Sequence, residues 1–327
     1  MTVTWGITLP LPELPLRGHR ALVAGLSELG WTDVWTGEGG GADAFTPLAA
    51  AGAWAPELRL GTGIVPVQTR GPAVLAQTAA TLAELTGSQV LLGIGSSVPA
   101  HVTAINGLAH GRPYAHVRDM LRFLSRVLAG EMVRERYETL EVDGFGLARV
   151  PVVRPKVVVG ALRPGMLRLA FSEGDGAITN VLSAADVPRI VAAVGPQPVG
   201  KELVVKVFVC PTDDARYARA RGREFLGWIL NQPPYRAFHD WLGRGPDLAA
   251  AHRRWDEGDR RGAGAALPDH VVDALWVHGS PEECRARLST FVRPGVTGLL
   301  VYLAPTPETT RDPAALTAVL RALSPGA

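Results

Sequence analysis

Arg59-Leu60-Gly61-Thr62-Gly63-Ile64-Val65-Pro66 and, one helix later, Leu91-Leu92-Gly93-Ile94-Gly95-Ser96-Ser97 decide the fold of this chain. Each is an apolar stretch that runs out into glycine. Two such strands joined by a right-handed helical crossover form the repeating unit of a parallel sheet, whose strand ends build a ligand site. The helix between them follows from its residues. Pro72 suits a first turn, where its missing N–H has no partner to lose. Leu75, Ala79, Leu82 and Leu85 recur at helical spacing, and Gly87 supplies the left-handed stop. The run Val90 to Leu92 shows no alternation, as expected of a strand covered on both faces.

The same unit recurs outward from this pair. Strands are predicted at Val3 to Leu9, Asp33 to Thr36, Lys156 to Gly160, Ala177 to Asn180, Leu203 to Val209 and Gly298 to Leu303, which with the first two makes eight. Helices are predicted at Arg17 to Leu29, Thr46 to Trp54, Pro113 to Leu128, Pro164 to Phe171, Ala184 to Val194 after a Ser183 cap, Asp213 to Leu230, Pro281 to Phe291 and Ala314 to Leu323. Residues 131 to 150 read as an irregular excursion. The segment 231 to 269 is too long for an ordinary connection and reads as a helical insertion or lid, with Trp228, Trp241 and Trp255 forming its own small core. No linker rich in Pro, Gly or Ser divides the chain. The expectation is one α/β domain over 1 to 327, a (β/α)8 TIM barrel with a helical insertion between the last two strands.

Composition narrows the function. The 327 residues are 47% hydrophobic and 20% charged, enough to bury a large core. A formal net charge of +2, with both signs interspersed, offers no basic stripe for a phosphate backbone, so no nucleic-acid partner is expected. Cys210 in a strand and Cys284 in a helix lack metal or redox spacing and read as small buried hydrophobes, which suits a reducing cytoplasm. No metal site, signal region or membrane span is expected.

In a barrel the residues just after each strand converge on one mouth. Here these are Thr8 to Pro10, Gly37 and Glu38, Gly63 and Ile64, Gly95 to Ser97, Gly160 to Arg163, Asn180, Cys210 and Ala304. Glycine and small polar residues dominate. Such a rim lets a flat or phosphorylated ligand approach the backbone, although the same glycines also serve tight turns.

At this point the residues resemble a known family. Leu-Gly-Thr-Gly-Ile-Val-Pro (60 to 66), Thr69-Arg70-Gly71-Pro72-Ala73, Thr81 to Gly87, Leu92-Gly93-Ile94-Gly95, Trp35-Thr36-Gly37-Glu38 and Val277-His278-Gly279-Ser280-Pro281-Glu282-Glu283-Cys284 are similar, in order and spacing, to the bacterial luciferase-like family in its deazaflavin-dependent oxidoreductase branch. The resemblance covers nearly the whole chain. It implies a barrel that binds coenzyme F420, a 5-deazaflavin, at its C-terminal mouth and exchanges hydride with a small-molecule substrate. It also implies a non-proline cis peptide at Gly63–Ile64, forming a bulge against the face of the ring. By analogy, the phosphodiester tail lies over Gly95, Ser96, Ser97 and over Gly160, Ala161, Leu162, Arg163, with Asn180 completing the cofactor-binding set. Members of this family often pair, so a homodimer is one expected assembly.

The chain departs from the family's sugar-phosphate dehydrogenases. Their histidine after the second strand and glutamate after the fourth are replaced here by Gly39 and by Val98 or a neighbour. Glu38 and Asp43 remain near the ring position as acid or base, with helix capping as Asp43's other reading. His101 and His110 flank the loop after the fourth strand, within reach of a substrate. The catalytic candidates are therefore Glu38, Asp43 and His101. The leading expectation is an F420-dependent oxidoreductase acting on a carbonyl, imine or activated alkene. Its alternatives are a flavin mononucleotide (FMN)-dependent monooxygenase of the same superfamily and a cofactor-free barrel serving as a binding or assembly subunit.

Overall fold

The computed structural model describes residues 2–326, and at its centre eight parallel strands close into a barrel. They are β1 (Thr4–Thr8), β2 (Asp33–Thr36), β3 (Arg59–Thr62), β4 (Val90–Gly95), β5 (Lys156–Gly160), β6 (Gly176–Asn180), β7 (Glu202–Pro211) and β8 (Gly298–Leu303). Each pairs with its successor, and β8 closes on β1. All eight coincide with strands predicted from the sequence.

Inward-facing residues fill the barrel in layers, as a packed interior requires. The N-terminal end is closed by charge. Arg59 bonds to Asp33 at 2.7 Å and to Thr4 Oγ1 at 2.7 Å, and reaches Glu202 at 3.2 Å, while Lys156 reaches Glu202 at 2.8 Å. Above this lies an apolar layer of Trp35, Leu91, Val158, Ile178, Val204 and Leu300. The Trp35 indole fits there because its neighbours are glycines. A Cβ at Gly6 would stand 2.6 Å from the ring and one at Gly61 2.3 Å. Such contacts lie far inside van der Waals distance, so the bulk of one tryptophan dictates two glycines. The third layer forms the mouth.

Between β3 and β4 the ladder carries a bulge. Gly61 pairs with Leu91 and Val65 with Ile94, so four steps on one strand oppose three on the other. The Gly63–Ile64 peptide within the bulge is cis, and Leu9–Pro10 is cis as well. Thr62 replaces the interrupted ladder with its side chain, its hydroxyl accepting from Gly93 N at 2.8 Å and donating to Gly93 O at 2.9 Å. That approach is so close that a Cβ on Gly93 would fall 1.8 Å from Thr62 O.

Outside the barrel several predicted elements are corrected. The helix expected over Arg17 to Leu29 is broken into a 3-10 turn (Leu16–His19), one short α-helix (Arg20–Ala24) and a second 3-10 turn (Ser27–Leu29). Gly25 interrupts the run, and Gly30 at φ 89° ends it. Residues 131 to 150 are not irregular, because Val133–Arg136 and Glu141–Phe145 form an antiparallel hairpin. The helix after Ser183 begins only at Val187. Asp186 accepts the Ser183 amide and hydroxyl, both at 2.7 Å, so the intended cap folds into a turn instead. A further strand, Trp276–Gly279, pairs with the outer end of β7.

Between β7 and β8 lie helices Ala215–Ile229, Pro233–Trp241, Gly245–Asp256, Arg260–Ala265, Asp269–Leu275 and Pro281–Ser289. The three tryptophans of this region do not form one core. Trp228 stacks on His101, Trp241 stacks on Phe238 beneath Arg189, and Trp255 lies beneath Arg260. Each amphipathic ring is used by a different neighbour. Among the described residues no helix is long and apolar enough to cross a membrane.

Candidate active site

The mouth is built around Ile64. The bulge carries its side chain against two glycines, so that a Cβ on Gly95 would lie 3.1 Å from Ile64 Cδ1 and one on Gly160 3.2 Å from Ile64 Cγ2. A Cβ on Gly37 would lie equally close, 3.2 Å from Gly63 O. The result is a surface of backbone and one branched side chain at the ends of β2 to β5. Residues lacking Cβ atoms allow a planar group to approach such a surface.

The loop after β2 is tied to this bulge, since Glu38 N donates to Ile64 O at 3.2 Å. The Glu38 carboxylate accepts from Arg70 Nε at 3.0 Å, from Arg70 Nη2 and from Ala44 N at 3.3 Å, all on Oε1. Arg70 itself rests on the Phe45 ring, 4.8 Å from its centre. Asp43 caps the helix Phe45–Trp54, its Oδ1 accepting from Phe45 N at 2.9 Å and Thr46 N at 3.0 Å. Burial alone would raise its pKa, but the Thr46 and Phe45 donors and Arg70 hold it below the ordinary carboxylate value. A carboxylate held ionised in this way is a cap and a poor proton donor near neutrality.

His101 stands in a short π-helical segment, Ala100–Ile105, between the β4 loop and the insertion. Its Nδ1 is 3.5 Å from Ser97 Oγ, and its ring stacks on Trp228 at 5.4 Å. A Cβ on Gly39 would lie 3.6 Å from its Cε1, so the β2 loop reaches it too. Burial lowers its pKa. Glu38 and His101 are thus carried to one mouth by adjoining loops, whereas His110 is turned back to bond Ser96 O at 3.1 Å.

On the expected anion-binding loops, Ser97 adopts φ 54°, a left-handed conformation that turns the backbone after β4. Ala161 N is spent on Ile178 O at 2.9 Å, and Leu162 is half-buried. Arg163 is exposed at the start of the helix Pro164–Ser172. Asn180, at the end of β6, donates through Nδ2 to Tyr235 Oη at 2.9 Å. Its Oδ1 and the hydroxyl of Thr8 on β1 are buried and accept or donate nothing among the described residues.

Sequence reasoning gave four residues of this region no role at the mouth. Arg70 fixes Glu38, Trp228 covers His101, Tyr235 reaches Asn180 from the insertion, and Lys206 rises inside the barrel from β7. Only Lys206 left a signal, as the single charge in the apolar run Leu203 to Val209. Cys210 and Cys284 are both buried and unpaired, as read from their spacing. A separate cleft of about 1300 Å³ lies between the helices of the insertion, lined by Trp228, Asn231, Arg236 and Trp255 and meeting the β4 loop at Ala100.

This fold agrees with the comparisons. Residues 4–298 match the model of a family described as luciferase-like monooxygenase, and the chain belongs to that family. It is 27% identical to a Mycobacterium tuberculosis protein provisionally named a coenzyme F420-dependent oxidoreductase, over 92% of this chain and 95% of that protein. It is 26% identical to the 5,10-methylenetetrahydromethanopterin reductase of Methanolobus tindarius, over 91% of this chain and 93% of that one. In fold it is similar to an F420-dependent secondary alcohol dehydrogenase solved with an F420–acetone adduct, with a TM-score of 0.77, 15% identity and 99% of each chain covered.

Proposed function

We propose that this protein is a coenzyme F420-dependent oxidoreductase that moves hydride between the deazaflavin and a carbonyl, imine or activated alkene of a small organic substrate. The observation that carries this reading is the Gly63–Ile64 bulge, whose isoleucine packs so closely on Gly95 and Gly160 that a Cβ on either would lie 3.1 or 3.2 Å from it, leaving backbone and one branched side chain at the mouth. Full-length likeness to relatives named for F420 chemistry supports it. When bound, the deazaflavin supplies a two-electron hydride donor or acceptor.

The chain's own residues take the other tasks. Ser96, Ser97 and the turn Gly160 to Arg163 present hydroxyl, amide and guanidinium donors to an anionic tail. Glu38 is the group assigned to the proton, because Arg70 and Ala44 hold it through Oε1 and leave Oε2 free of partners among the described residues. His101, kept neutral by burial under Trp228, lines the substrate side. The helices of 231 to 269 serve as a lid, joined to the mouth by the Tyr235–Asn180 bond.

Equilibrium titration of the apo protein with F420 and with FMN, read by ligand fluorescence, tests this reading. F420 binding at about micromolar strength or tighter, with FMN at least tenfold weaker, is expected. Tight FMN binding without F420 binding would make the protein a flavin monooxygenase. Binding of neither would make it a cofactor-free member of the family.

A further inference from the structure

The cations inside the barrel are treated in two different ways. At the base, Arg59 and Lys156 are neutralised by Asp33 and Glu202. Nearer the mouth, Lys206 has no such partner. It lies on β7 in register with Asn180 of β6 and Leu300 of β8, two residues beyond Val204 of the apolar layer, and so shares Val204's inward face. Its Nζ stands 5.6 Å from the ring centre of Tyr302 and 5.8 Å from that of Phe208, at the outer limit of cation–π attraction. Neither ring accepts a conventional hydrogen bond from the ammonium.

Its surroundings are polar but uncharged. Tyr302 of β8 brings a phenol to the same layer. Thr8 of β1 lies beside it, since Ile7 and Val301 are paired, and its buried hydroxyl is idle. Asn180 Oδ1 is idle as well. A half-buried ammonium with no counter-charge beside it is costly, and a bound anion would relieve that cost.

We propose that Lys206 is the substrate-recognition cation of this enzyme and takes an anionic oxygen group, a carboxylate or phosphate, of the substrate, with the Tyr302 and Thr8 hydroxyls as supporting donors. This rests on the oxidoreductase reading for the word substrate, but the anion site itself does not. Lys206 lies on β7, whereas the loops assigned to the cofactor's tail follow β4 and β5, so one anion does not serve both. Burial pushes the Lys206 pKa down to about 8, which leaves the ammonium form predominant at neutral pH.

Calorimetric titration of the apo protein with inorganic phosphate and with benzoate tests this, in wild type, Lys206→Met and Lys206→Arg, with F420 affinity measured on each. Wild type is expected to bind at least one probe at about millimolar strength. Lys206→Met should weaken it by about 10- to 100-fold, as loss of a charged hydrogen bond implies, and Lys206→Arg should restore part of the loss. F420 affinity should change by less than about threefold. Equal probe affinity in wild type and Lys206→Met, or no probe binding to wild type, would overturn the proposal. An F420 affinity that falls with the probe's would assign Lys206 to the cofactor instead. Failure of F420 to bind any variant would count against the oxidoreductase reading alone. Melting curves establish folding, and Lys206→Met, which removes a half-buried charge without a counter-charge, should melt no lower than wild type.

Discussion

Glu38 and Arg70 are joined through a single carboxylate oxygen, Oε1 of Glu38, which receives both Nε and Nη2 of the guanidinium. The arrangement anchors the carboxylate and leaves its second oxygen for the mouth. Glu38→Gln keeps the shape and removes the proposed proton acceptor, so the proposed hydride-transfer turnover should fall by about 10²- to 10⁴-fold in a folded protein. Wild-type turnover in that variant would move the proton to another group. Arg70→Met should instead cost about 1–3 kcal/mol in chemical denaturation, because it strands a mostly buried carboxylate.

Two neighbouring glycines should respond differently to the same change. A Cβ on Gly93 meets the Thr62 carbonyl at 1.8 Å, which no side-chain adjustment relieves. Gly93→Ala should therefore fail to accumulate as folded protein. A Cβ on Gly95 meets only the tip of Ile64 at 3.1 Å, so Gly95→Ala should fold and lose cofactor affinity as Ile64 is displaced. Circular dichroism and cofactor titration on both variants separate the two outcomes. A folded Gly93→Ala would contradict the close approach of β3 and β4.

The charged base of the barrel predicts the acid limb of stability. Burial alone would raise the Glu202 pKa, but Lys156, Arg59 and Thr297 hold it below the ordinary 4.5. A depressed folded value means that the unfolded chain takes up the proton first as pH falls. The stabilisation is thus complete above about pH 4.5 and drains as pH drops through the folded value. Denaturant midpoints measured from pH 7 to pH 3 should show this decline. Glu202→Gln should be less stable at neutral pH and show a shallower decline, and an unchanged slope would count against the network.

Trp228 should control the titration of His101. The stacked ring at 5.4 Å contributes to the burial that lowers the histidine's pKa. In Trp228→Ala the imidazole should titrate closer to the ordinary 6.5, which proton NMR of the His101 ring reads directly. An identical titration in both proteins would mean that other groups desolvate it.

The barrel was legible because its strands are short apolar runs stopped by turn residues, and because Gly63 and Gly95 mark strand ends whatever their partners. Asp43 carried two readings in the sequence, and the Phe45 and Thr46 amides select capping. The hairpin Val133–Arg136 and Glu141–Phe145 was not legible, since its charged and mostly exposed residues show neither period. The insertion's tryptophans were misread for a related reason. Helical spacing reports which residues share a face of one helix, but Trp228 is used by His101, which lies 127 positions earlier in the chain. Lys206 is the one charge in its apolar run, a signal the sequence reading did not use. Its lack of a counter-charge became visible only when β6 and β8 were set on either side of it.

The most direct measurement is a crystal structure of the protein with F420 bound. The tricyclic ring is expected in van der Waals contact with Gly63 and Ile64, and the phosphodiester on the loops Gly95 to Ser97 and Gly160 to Arg163. A deazaflavin seated instead in the cleft between Trp228 and Trp255, or a ring that leaves the bulge uncovered, would contradict that placement.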